Sequence, residues 1–115
     1  DRVEEATQAD YRLYQKVKET GVRGTVRVPP QPVDLEKLEF RDEHAARHGC
    51  TLEDAKGYVK NARCSISRKR WDGTSTNYYS FDGAAYIDDA TGKVKTSYAK
   101  KDFDPQTEAI LEVFQ

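Results

Sequence analysis

The chain has 115 residues, the length of one domain; a chain this size buries roughly two-thirds of its unfolded surface, which leaves room for one modest core and excludes a second domain. Lys and Arg total 19 against 20 Asp and Glu, a net charge of −1 that argues against a uniformly basic nucleic-acid binder. Hydrophobic residues make up only 37%, but seven Tyr, four Phe and one Trp lift the chain out of the compositional range of disorder, and no apolar run is long enough to span a membrane.

The first five residues, Asp1 to Glu5, lack the apolar stretch of a signal peptide, and the chain contains no Met, which points to a domain drawn from a longer polypeptide. Val3, Ala6, Tyr11, Tyr14 and Val17 recur near the helical period and predict a helix over 3–20, with Gly21 as its C-terminal cap. From Val22 to Phe40 the character changes. Gly24, the alternating Val22, Val26 and Val28, and Pro29-Pro30-Gln31-Pro32 describe an extended connector with room for a short edge strand. The expected organisation is therefore a helix and Pro-rich connector over 1–37 and a compact domain over 38–115.

Asp42 is placed to cap a short helix over 43–48, which Gly49 ends. Thr51 with Asp54 three residues later forms a capping box for a second helix running to Asn61. Strand and turn signals then alternate: Ala62, Cys64 and Ile66 mark one strand, Asp72-Gly73 a turn, and Ser75 to Phe81 a second strand. Asp82-Gly83 turns again, and strands over 83–88 and 93–99 follow across Asp89 to Gly92. Asp104 as N-cap and Pro105 at the first helical position open a terminal helix whose Ile110, Leu111 and Phe114 can cover the sheet. The predicted class is α+β: N-terminal helices, a four-stranded antiparallel sheet and a C-terminal helix.

Several residues could carry chemistry. His44 and His48 stand four apart, hence on one face of a helix, and a near-neutral pKa suits either to proton transfer; surface or capping roles fit them equally. With Cys50 and Cys64 they could formally complete a zinc set. However, the spacing lacks the tight clusters such sites use, so two free thiols and no metal are expected. Ser75 between Thr74 and Thr76 is similar to the STS element of some ADP-ribosyltransferases, but no ExE triplet accompanies it.

Charge is unevenly distributed. Ala62 to Lys101 holds eight basic and four acidic residues, a segment charge of +4, leaving −5 for the rest. In that segment Arg63, Arg68, Lys69 and Arg70 lie near Trp71, Tyr78 and Tyr79, a mixture of cations and aromatics suited to phosphates and bases, or else an ordinary solvated hairpin. Strict alternation puts Val94, Thr96 and Tyr98 on one face of the last strand and Lys95 and Ser97 on the other.

The run Glu43-His44-Ala45-Ala46-Arg47-His48-Gly49, then Thr51-Leu52-Glu53-Asp54-Ala55 and Tyr58-Val59, precedes Tyr78-Tyr79-Ser80-Phe81-Asp82-Gly83-Ala84-Ala85-Tyr86, Lys95-Thr96-Ser97-Tyr98 and Lys101-Asp102-Phe103-Asp104. This order resembles the nuclease-like C-terminal domain of phage minor head proteins and bacterial polymorphic toxins, grouped with barnase, EndoU, the tRNA-cleaving colicins and RelE. The resemblance covers Leu38 to Gln115. It implies a ribonuclease that needs no metal or other cofactor and cuts RNA, with tRNA as the expected substrate. His44 then matches the helix-borne acid or base, His48 stands second, and Thr96 with flanking Tyr98 matches the hydroxyl of the final-strand pattern. Lys95, Arg68 and Arg70 are candidate phosphate contacts by charge, and Tyr78 or Tyr79 a candidate stacking ring. The resemblance further implies a delivered effector acting in a target-cell cytoplasm, or a virion-associated domain, with an acidic immunity protein as partner and no membrane role. Two other classes stay open: a non-catalytic structural or interaction domain of a phage head, and an NAD-consuming toxin.

Overall fold

The computed structural model describes Gln15, Glu19 and residues 24–43, 49–71 and 73–114. Its centre is a five-stranded antiparallel meander: β1 (Thr25–Arg27), β2 (Cys64–Arg70), β3 (Gly73–Tyr79), β4 (Gly83–Asp88) and β5 (Lys93–Ala99), hydrogen-bonded in that order. The class is α+β as expected, and the strand count is corrected from four to five. The extra strand comes from the stretch read as a connector. Gly24 admits it: a Cβ at this position would lie 2.4 Å from the Ser67 carbonyl oxygen, so only a glycine lets the backbone approach β2 this closely.

Two helices cover the sheet, one on each face. Helix α1 (Leu52–Lys60) starts at the expected capping box, with the Thr51 hydroxyl accepting from Asp54 N–H and the Asp54 carboxylate accepting from Thr51 N–H. Its Ala55 and Val59 are buried with Leu38, Tyr78, Ala85, Ile87 and Val94. Helix α2 (Pro105–Glu112) starts where Asp104 accepts from Thr107 N–H and Pro105 occupies the first turn. Ile110, Leu111 and Val113 pack on Cys64, Ile66, Tyr79, Ala84 and Tyr98. At the centre of β4 the two fully buried alanines, Ala84 under α2 and Ala85 under α1, leave room for both layers. The expected helices over 3–20 and 43–48 lie outside the described residues, apart from Gln15, Glu19 and Glu43.

β5 departs from simple alternation. Tyr86 pairs with Thr96 but Ile87 pairs with Val94, so Lys95 is the extra residue of a β-bulge. Val94 consequently faces α1 and joins the Leu38 cluster, whereas Thr96 and Tyr98 lie on the α2 face. This corrects the grouping of Val94 with Thr96 and Tyr98. Alongside the bulge, residues 39–41 add an isolated parallel bridge, with Arg41 N–H donating to the Val94 carbonyl and Val94 N–H to that of Glu39.

Candidate functional site on the sheet

Strand register places the polar residues of the α2 face in cross-strand rows. One row runs Val26, Ile66, Asn77, Tyr86, Thr96; the next, toward α2, runs Cys64, Tyr79, Ala84, Tyr98. Arg68, Ser75, Asp88 and Lys93 form the row beyond the first. Thr96 therefore lies between an aromatic layer and a charged one.

The aromatic layer is tightly ordered. Tyr79 and Tyr86 meet edge to face at 6.2 Å, Tyr86 and Tyr98 at 5.5 Å, and Tyr98 and Phe103 at 5.9 Å. Asn77 donates from Nδ2 to the Tyr79 hydroxyl at 3.1 Å, Tyr86 and Tyr98 share a hydroxyl–hydroxyl hydrogen bond, and the Tyr98 hydroxyl approaches Thr107 Oγ1 at 3.4 Å. Burial pushes the Tyr79 phenol up to about 12 and raises those of Tyr86 and Tyr98 further, with neighbouring phenols and Asp104 adding to the last two. At neutral pH these groups are uncharged hydrogen-bonding phenols and poor bases.

Thr96 differs from its neighbours. Its hydroxyl is buried and lacks a hydrogen-bond partner, a state shared among the described residues by Ser97 on the opposite face. Buried polar groups are nearly always paired, so an orphan hydroxyl needs a reason.

The other predicted residues fall in different surroundings. His44 and His48 lie outside the described residues. Lys95 occupies the bulge, Arg68 is half-buried in the charged row, and the backbone of Arg70 pairs with Gly73. Tyr78 and Tyr79 are only 2% and 3% exposed, which corrects the expectation that either ring stacks a base: both faces of β3 are covered. Ser75, the middle residue of the Thr74-Ser75-Thr76 run, is likewise buried. Cys50 and Cys64 are free, buried and on opposite sides of the sheet; burial pushes the Cys64 thiol up to about 12, away from reactive thiolate. Among the described residues no three His, Cys, Asp or Glu side chains gather as metal ligands.

A second polar network lies on the α1 face and was not foreseen. Arg27 Nη1 donates to Gln31 Oε1 at 2.7 Å and to Ser67 Oγ at 3.1 Å; Ser67 and Thr76 hydroxyls meet at 2.8 Å, and Thr76 donates to Asp89 at 2.8 Å. The Tyr78 hydroxyl donates to the Gln31 carbonyl and Gln31 N–H donates to Ser65 Oγ. The network holds the Pro-rich segment against β2 and β3. Gln31 within the proline run is its hub, and apart from Arg27, four residues before it, the partners of Gln31 are 34 to 47 residues away, beyond the reach of local pattern.

No family model matches the sequence, and neither a curated protein nor a solved structure matches it.

Proposed function

We propose that this domain is a metal-independent endoribonuclease acting on RNA, with tRNA as substrate, in which the 2′-hydroxyl attacks the adjacent phosphorus. The observation that carries the reading is the Thr96 hydroxyl, buried without a partner beside the Lys95 bulge. Bulges re-aim side chains next to active sites, and a phosphate oxygen would supply the hydrogen bond Thr96 lacks.

The roles follow from the chemistry. His44 takes the 2′-hydroxyl proton or returns one to the leaving 5′-oxygen, and His48 is the alternative partner. Thr96 and the neutral phenol of Tyr98 donate to the phosphate, while Lys95, Arg68 and Arg70 offset the charge gained in the transition state. An acidic partner protein would suit the +4 of the segment 62–101. A non-catalytic interaction domain is the second reading, favoured by the Tyr98 hydroxyl being engaged with Tyr86 and Thr107 beneath α2.

The test is a pair of oligonucleotides of one sequence, one all-ribose and one with a single 2′-deoxy sugar at the cut position. The proposal expects cleavage of the first and none at the modified position of the second. Equal cleavage of both would exclude 2′-hydroxyl attack, and cleavage of neither, by folded protein, would favour the interaction domain.

A further inference from the structure

We infer that Trp71, at the tip of the β2–β3 hairpin, stacks on an unpaired base of a single-stranded RNA whose phosphates are held by the cations preceding it. The inference rests on the nuclease reading for its choice of partner and supplies the stacking surface that Tyr78 and Tyr79 do not provide.

Three observations converge. Trp71 is 93% exposed, and among the described residues it is the one large apolar side chain left in solvent. It directly follows Arg68-Lys69-Arg70, the densest run of positive charge in the chain. Arg68 and Lys69 form no ion pair among the described residues, unlike Lys93 with Glu39 or Arg41 with Asp88. Because β2 alternates, Arg68 lies on the α2 face and Lys69 on the α1 face, so cations flank the approach to the tip on both sides.

The surroundings select the ligand. Among the described residues of the tip, Gly73 and Thr74 add no second exposed apolar group, which leaves too little area for a bilayer or for the packed centre of a protein interface. One large ring beside free cations matches the elements of single-strand recognition, in which a base stacks on an aromatic face while Lys and Arg follow the backbone. Arg68 shares its row with Ser75, Asp88 and Lys93, next to the row that ends at Thr96 three strands away.

Trp71 is the only tryptophan of the chain, so its fluorescence reports this contact alone. The full 115-residue chain would be titrated with a single-stranded oligoribonucleotide carrying 2′-O-methyl groups throughout, which cannot be cut by 2′-hydroxyl attack. The expected result is saturable quenching, absent with heparin, a polyanion without bases, and a loss of affinity of about tenfold in Trp71→Ala that Trp71→Phe largely restores. Three results would each overturn the inference: binding of the labelled oligonucleotide without quenching, equal quenching by heparin, or a blue shift on anionic phosphatidylserine vesicles with no response to the oligonucleotide. Cleavage of unmodified RNA is scored separately. Quenching without cleavage keeps the stacking site and removes the nuclease; cleavage without quenching does the reverse.

Discussion

Thr96 offers the cleanest separation of stability from function. A buried hydroxyl without a partner costs on the order of 1–3 kcal/mol, and valine has nearly the same shape without the polar atom. Thr96→Val should therefore hold or raise the urea midpoint while lowering RNA cleavage by at least about tenfold, the equivalent of one charge-assisted hydrogen bond to phosphate. Midpoint and rate falling together would mean that the hydroxyl serves only the fold. The position of Thr96 in the last strand was legible from its pattern, but its face relative to Val94 was not. A bulge is one unpaired residue, and Lys95 carries no glycine or turn signal to announce it. Tyr78 and Tyr79 were misread for a related reason. Ser75, Thr76 and Asn77 made β3 look half-solvated, yet all three are buried, with Thr76 bonded to Ser67 and Asp89 and Asn77 to Tyr79.

Among the elements, those specified by nearby residues were the readable ones. The Thr51–Asp54 capping box and the Asp104-Pro105 start are each written within four residues, and both helices begin where those signals stand. β1 is three residues long and gains its identity from pairing with Ser65, Ile66 and Ser67, about forty residues away, so local pattern could at most allow it. The contact of α1 with β4 depends on Gly83, where a Cβ would lie 2.4 to 2.6 Å from the Tyr58 ring. Gly83→Ala should thus displace the ring and lower stability by roughly 1–3 kcal/mol, with the double variant Gly83→Ala, Tyr58→Leu recovering part of the loss. Denaturation midpoints of the two variants check this; an unchanged midpoint in Gly83→Ala would contradict the packing described.

At the scale of the whole molecule, buried neutral acids make the fold sensitive to alkali. The Cys64 thiol is raised from 9.0 to about 12, and the Tyr58, Tyr78 and Tyr79 phenols from 10.0 to about 12, chiefly by burial. Each group ionises more easily in the unfolded chain than in the folded one. Stability is then fully retained below the unfolded values, near pH 9 for the thiol and 10 for the phenols, and is lost as pH rises toward 12. Tyrosinate absorbance and circular dichroism should change together across that window; tyrosinate forming at its ordinary pH with the fold intact would contradict the burial.

Charge at this scale also bears on function. A net −1 conceals the +4 of the segment 62–101, so RNA binding through a few phosphates should weaken only gently with salt, with a log–log slope of about −2 for three contacts to a single strand. The most direct measurement of the central proposal is incubation of the folded domain with total tRNA in EDTA, followed by analysis of the new 3′ ends. The account predicts discrete fragments ending in 2′,3′-cyclic phosphate, lost in His44→Ala. Intact tRNA, or fragments with free 3′-hydroxyls, would contradict it.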